Sequence, residues 1–162
     1  MSDNPARSGR TEWFDQQFRT YGEYHKDERN RMTHLVGIPM IMQGILMALA
    51  VVYVGPVSLA LPVVIAASAA WLYWDRALGR IMLLPVITMF LIALNLPKLV
   101  GLTGALVAAG LFFGIGWVLQ IWGHKMEGKK PAFVDNVVQL MIGPMFILDE
   151  ALQMMRGKDS TD

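Results

Sequence analysis

Three histidines, His25, His34 and His124, are the residues of this chain best suited to chemistry, and each lies just outside a long apolar segment. Imidazole is the commonest protein ligand for transition metals. Three imidazoles that leave other coordination positions open are typical of a catalytic metal site rather than a structural one. The chain has no cysteine, which excludes disulfides, thiolate sites and iron–sulfur clusters. A shared site requires a fold that brings distant segments together.

The composition indicates that the protein lies in a membrane. Of the 162 residues, 54% are hydrophobic and 17% are charged, and the mean hydropathy of +0.42 is too high for an ordinary soluble domain. Four stretches are apolar enough to cross a bilayer, with breaks at Gly55-Pro56 and Pro97-Lys98. The sequence therefore predicts an all-α, multi-pass membrane protein in one domain (1–162), with four transmembrane helices at about 35–54, 57–74, 78–97 and 99–122.

The distribution of basic residues predicts the orientation of these spans. Of the 14 Lys and Arg residues, only Lys98 falls on the side opposite the two termini. The positive-inside rule then places both termini in the cytoplasm, and all three histidines at the same face. The first 31 residues carry six basic residues and no apolar run, so we expect no cleavable signal peptide.

The N-terminal segment, 12–31, has aromatic residues at helical spacing, which predicts an interfacial helix. The nine-residue step from His25 to His34 turns an ideal helix through about 900°, placing the two on opposite sides. A shared metal therefore needs a break in the helix, which we expect between Asp27 and Thr33. A plain surface anchor with solvated histidines is the alternative.

A second polar cluster lies at the end of the fourth span and runs out of the membrane. Trp117, Gln120, His124 and Glu127 are spaced by three, four and three residues, so they form one stripe on a helix. Gln120 and Glu127 suit the role of orienting a ligating imidazole, and Glu127 is also a candidate ligand. An interfacial tryptophan belt with a polar cap has the same spacing.

The tail predicts further interfacial structure at 133–156. Its apolar faces change at Gly143-Pro144, so we expect two short helices that cover the histidines, although a simple surface anchor fits equally well. We expect disorder in 1–10 and 157–162.

These polar positions form motifs of fixed spacing: Tyr21-x3-His25-x4-Asn30-x3-His34-x2-Gly37-x-Pro39, Gln120-x2-Gly123-His124-x2-Glu127-x3-Pro131-Ala132, and Gly143-Pro144 with Glu150 beyond it. They resemble the family of the yeast endoplasmic-reticulum 2-hydroxy fatty acid dioxygenase of phytosphingosine degradation and its bacterial relatives. The resemblance runs from about Phe14 to Leu152. It is specific, because several polar positions occur in the same order around four spans.

The resemblance implies a membrane enzyme that uses Fe(II) and O2 to shorten a long-chain 2-hydroxy fatty acid by one carbon, with release of CO2. It implies that the iron ligands are His25, His34 and His124, and that supporting or catalytic roles belong to Tyr21, Asn30, Gln120 and Glu127. An Fe(II) ion with three protein ligands keeps positions for a bidentate acid and an oxidant. Some relatives have a further histidine where this chain has Lys26, so a four-histidine site would need a second subunit. Homo-oligomerisation stays open.

Other functions fit parts of the pattern. A zinc hydrolase also uses three nitrogens and a water. A small exporter explains the size, but the apolar cores of the predicted spans, with the third counted as 81–96, contain no acidic or basic residue for coupling. A non-catalytic membrane protein is a further alternative.

We expect a lipid bilayer and no nucleic acid as partner. The lack of a C-terminal retention signal favours a bacterial inner membrane over the endoplasmic reticulum.

Overall fold

A computed structural model describes residues 9–157 of the chain. The fold is helical, which confirms the predicted class, with one two-stranded hairpin at Gly55. The strands are β1 (Tyr53–Val54) and β2 (Val57–Ser58), and they pair antiparallel. The helices are α1 (Glu12–Glu23), α2 (Glu28–Ala50), α3 (Ala60–Trp74), α4 (Arg76–Glu127) and α5 (Gln139–Met155), with a 3-10 turn at Ala132–Val134.

Helix α4 reverses direction at Gly101. This glycine has φ 74° and ψ 171°, a left-handed extended conformation that L side chains rarely adopt. The amide of Gln43 on α2 donates to the carbonyl of Met89, while the neighbouring Gly44 lies against Phe113. In a straight helix Met89 and Phe113 would stand about 36 Å apart. The two halves of α4 (76–100 and 102–127) therefore flank α2, and the chain turns at Gly101 rather than at the expected Pro97-Lys98.

Glycines allow α2 and the second half of α4 to approach closely. A Cβ on Gly44 would lie 2.7 Å from the backbone nitrogen of Phe113, and one on Gly116 would lie 2.8 Å from the carbonyl of Gly37. Side chains at these positions would separate the helices. Because residues 37 and 44 meet residues 116 and 109–113 respectively, the helices run antiparallel. The start of α2 thus lies beside the end of α4.

Much of the apolar surface is not buried within the protein. Among the described residues, α2 and α4 are long and apolar enough to cross a membrane, and α3 is a shorter apolar helix. Only 33% and 28% of the most apolar windows of α2 and α4 are buried, which distinguishes them from the core helices of a soluble protein. Exposed apolar surface of this extent indicates a membrane or a partner.

Helix α1 docks against the ends of other helices. Thr11 caps its first turn, and the buried Phe14 ring stacks on Trp74 at 6.0 Å between centroids. Arg10 donates to the Asp75 carboxylate at 2.8 Å. Most of the residues predicted to be disordered, in 1–10 and 157–162, lie outside the described residues 9–157. Arg10, which contacts Asp75, lies within them.

The break between the first two helices lies at residues 24–27, slightly earlier than expected. Asp27 is the N-cap of α2, and its carboxylate accepts from the backbone N–H of Arg29 at 2.9 Å. A capping carboxylate favours the start of a helix at the next residue. The segment from Asp27 to Thr33 is therefore the cap and first turns of α2.

The expected division of the tail at Gly143-Pro144 is wrong, because α5 is one helix that continues through both residues. Pro144 is the sixth residue of α5, so its missing N–H removes one hydrogen bond, to the carbonyl of Leu140, from the helix. The flanking Ile142 and Met145 are fully buried and fix the helix against the rest of the fold. Gly143 has a different role: a Cβ there would lie 3.0 Å from the hydroxyl of Tyr21.

The close contact between α2 and α4 predicts a matched pair of outcomes. Gly44→Ala should destabilise the solubilised protein by about 1–3 kcal/mol, since the added methyl group meets backbone atoms. Gly110→Ala is the control, because a Cβ there has no described atom within 4 Å. Thermal or denaturant unfolding in detergent measures both. Equal stability of the two variants would contradict the packing described.

Candidate metal centre

The fold brings the three histidines together. His25 lies in the break after α1, His34 on α2 and His124 near the end of α4. The Nε2 atoms of His34 and His124 are 3.2 Å apart, and one ring nitrogen from each histidine lies within 4.8 Å of the others. All three side chains are buried, with 5% exposure or less. Segments separated by about 90 residues thus share one site.

Two of the imidazoles are oriented in the same way, each by a hydrogen bond to a backbone carbonyl four residues earlier. The Nδ1 of His25 contacts the carbonyl of Tyr21 at 2.7 Å, and the Nδ1 of His34 contacts the carbonyl of Asn30 at 2.9 Å. A carbonyl oxygen can only accept, so each Nδ1 carries the proton and each Nε2 keeps its lone pair. Burial lowers the pKa of His25 to about 4, which keeps that ring neutral at physiological pH. Neutral imidazole is the form that binds a metal.

The spacing of the nitrogens fits a metal ion. Two nitrogens bound to one ion at about 2.0–2.1 Å lie roughly 2.8–3.4 Å apart for octahedral to tetrahedral angles. The observed 3.2 Å between His34 and His124 falls in this range. Within residues 9–157, the buried Nε2 of His25 has no hydrogen-bond partner, which a bound ion would provide. The His34 and His124 nitrogens therefore fit a shared metal, and a nitrogen of His25 lies within 4.8 Å of theirs; imidazole ligands suit zinc, copper, iron and nickel.

Tyr21 and Asn30 support the histidines through more than their carbonyls. The Tyr21 ring stacks on His25 with centroids 4.0 Å apart and planes within 6°. Burial raises the pKa of the Tyr21 hydroxyl well above its usual range, so the phenol stays protonated. The Asn30 amide donates to Glu127 at 3.3 Å. Both residues predicted for this site therefore lie beside it.

Glu127 binds backbone rather than an imidazole. Its carboxylate accepts from the N–H groups of Lys26 at 3.1 Å and Asp27 at 2.7 Å, directly after His25. These bonds fasten the break between α1 and α2 to the end of α4. Glu127 thus positions His25 through the chain, whereas spacing had suggested a contact with an imidazole or with the metal.

Gln120 lies beside the histidines with an unused donor. Its side chain is 7% exposed, and its Nε2 has no partner among the described residues. Gly37 makes room for it, since a Cβ there would lie 2.6 Å from that nitrogen. The Gln120 amide is therefore free to donate to a ligand.

A largely apolar cavity of about 270 Å³ extends from the histidines. It is lined mainly by α2, α3, the second half of α4, the 3-10 turn and the start of α5. Polar side chains line it mainly at the histidine end. Sequence reasoning missed two contributors. The first is the face of α3 that lines the cavity. Because α3 is apolar all round, its sequence does not show which face this is. The second is Gln139, whose only signal in the sequence is its place within an apolar run. Its buried Oε1 has no partner in the described chain.

The geometry predicts one metal ion per chain. Replacing His25, His34 or His124 with Ala should remove most of the metal, because each change deletes one of three protein ligands. Gln43→Ala is the control, since Gln43 is a buried polar residue on α2 that contacts Met89 instead. Elemental analysis of protein purified without oxygen measures the content. Stoichiometric metal in the His124→Ala protein would contradict the site.

Comparisons with known proteins agree with this geometry. Residues 11–155 match the family described as 2-hydroxy-palmitic acid dioxygenase Mpo1-like. Searches of curated proteins and of solved structures give no match. The matched range includes all three histidines and every supporting residue described above, and it confirms the family indicated by the motifs. The chain therefore belongs to the 2-hydroxy-palmitic acid dioxygenase Mpo1-like family.

Proposed function

We propose that this protein is an Fe(II)-dependent dioxygenase that converts a long-chain 2-hydroxy fatty acid to the acid one carbon shorter. The observation that carries the proposal is the position of three buried histidines at the polar end of an apolar cavity. A fatty acid has the same division into a polar head and an apolar tail. The proposal places the head at the histidines and the tail among the helices.

The polar end offers groups suited to the head of such an acid. The free Nε2 of Gln120 can donate to the carboxylate, and a hydrogen bond to a charged group contributes about 1.5–3 kcal/mol. Tyr21 stays protonated and stacks on His25, so it shields that face of the ring from water. Glu127 and Asn30 act as positioning residues, because they fix the segments that carry His25 and His34.

The reaction balances without an external reductant. A 2-hydroxy acid and O2 give the shortened acid, CO2 and water: the bond between C1 and C2 breaks, C2 is oxidised to a carboxyl group, and O2 is reduced. His25, His34 and His124 would hold the iron, which supplies the one-electron chemistry that dioxygen needs to react with such an acid. Buried, neutral imidazoles keep this site dry and leave coordination positions for the acid.

The proposed setting is a bilayer crossed by four helices, namely α2, α3 and the two halves of α4. The hairpin at Gly55 and the turn at Gly101 lie at the opposite ends of these helices from the histidines. The excess of basic residues beside the histidines supports a cytoplasmic site with both termini cytoplasmic.

This topology predicts the accessibility of introduced cysteines. Because the chain has no cysteine of its own, Pro56→Cys and Lys98→Cys should react with an impermeant maleimide applied to intact cells. Lys125→Cys, near His124, is the matched control and should react only after the cells are opened. Labelling of Lys125→Cys alone in intact cells would reverse the orientation.

The reaction is tested with 2-hydroxyhexadecanoic acid labelled at C1. Iron-loaded protein should release labelled CO2 under air and none under argon, with 2-oxoglutarate and NADH both omitted. Hexadecanoic acid should not react, because it lacks the hydroxyl group at the carbon to be oxidised. His124→Ala should lose turnover together with its iron. Absence of turnover by iron-loaded protein, or stoichiometric zinc in protein purified without added metal, would favour a hydrolase instead.

A further inference from the structure

Three helices present lining residues at one-turn intervals along the cavity. On α2 these include His34, Ile38 and Ile45. On α3 they include Val63, Ala67 and Trp71, and on the second half of α4 they include Phe113, Trp117 and His124. Within each set the named residues are four or seven residues apart, and both spacings keep side chains on one helical face. The cavity therefore extends along the helices rather than across them.

The length of this cavity matches an acyl chain. On α2 the lining residues run from His34 to Leu46, and twelve helical steps span about 18 Å. A saturated chain with carbon–carbon bonds of about 1.5 Å advances about 1.25 Å per carbon, so roughly 14 carbons fill this distance. With C1 and C2 at the histidines, the cavity suits an acid of about 16 carbons.

The far end of the cavity is open on one side. Leu46 and Val64 are buried, at 6% and 8% exposure, and form its inner wall. Ile45, Val63 and Phe113 also line it, yet they are 40–44% exposed. These exposed residues lie on helices proposed to cross the bilayer, so the opening faces lipid.

We propose that the acyl chain enters this cleft sideways from the bilayer and lies along α2, and that Ala67 sets the chain length that the enzyme accepts. Ala67 lies one turn from Val63 and one turn from Trp71, midway along the α3 wall. It is small among large apolar neighbours, so the chain passes the middle of the cleft beside it. A larger side chain there divides the cleft and leaves space only for a short tail. This inference rests on the proposed function for the identity of the ligand.

The test compares acids of 16 and 8 carbons. Ala67→Phe should lower turnover of 2-hydroxyhexadecanoic acid far more than that of 2-hydroxyoctanoic acid, since each methylene left unburied costs about fourfold in affinity. Ala69→Phe is the matched control: the same change on an exposed residue of α3, about 200° around the helix, should leave the ratio unchanged. An unchanged ratio in the Ala67→Phe enzyme would overturn the proposal.

A binding measurement separates this proposal from the proposed reaction. Tritiated 2-hydroxyhexadecanoic acid should bind saturably to detergent-solubilised wild-type and Ala69→Phe protein, and at least about tenfold more weakly to Ala67→Phe protein. If wild-type protein binds the acid in this pattern without turning it over, the reaction is wrong and the cleft stands. If turnover occurs and the Ala67→Phe protein binds as tightly as the control, the cleft is wrong. If the Ala67→Phe protein does not fold, the Ala67→Leu protein is measured instead. The longest acid that it accepts should then be of intermediate chain length.

Discussion

The close contact between α2 and the second half of α4 is the constraint on which the site depends. At Gly44 and Gly116 the backbone of one helix occupies the space that a side chain of the other would need. A further contact lies at the histidine end, where a Cβ on Gly123 would collide with the side chains of Asn30 and Thr33. Without this approach the Nε2 atoms of His34 and His124 could not lie 3.2 Å apart. Close packing of the two helix backbones thus places His34 and His124 where they can bind one metal ion.

The third histidine depends on polar contacts instead of helix packing. His25 lies in the short break between α1 and α2, where irregular backbone needs hydrogen-bond partners. Glu127 provides two of them, and it extends from α4 one turn beyond His124. The end of α4 therefore contributes a ligand and also fixes the segment that contributes another. Tyr21 and Asn30 complete the arrangement, since their carbonyls leave both upstream imidazoles with the same free nitrogen.

The sequence predicted the helical class, the family and the residues gathered at the site, because histidine is chemically distinctive and helical spacing follows from simple geometry. Helical geometry also required a break between His25 and His34, although we expected it between Asp27 and Thr33 and it lies at residues 24–27. It did not predict that α5 continues through Pro144, because burial of the flanking residues outweighs the local signal. It also missed the contacts of Glu127 with backbone, which depend on the tertiary path. The apolar face of α3 gave no periodic signal, so the cavity that Ala67 lines became visible only in the folded structure.

X-ray absorption spectroscopy of the metal-loaded protein tests the central claim, that three imidazoles from distant segments bind one ion. The account predicts three imidazole nitrogens at about 2.0–2.2 Å in wild-type protein, and two in each of the three histidine-to-alanine variants that retains any metal. Adding a 2-hydroxy acid should introduce further oxygen neighbours and leave the three imidazoles in place. A spectrum that shows one imidazole or none in wild-type protein, with the remaining positions filled by oxygen, would contradict the account.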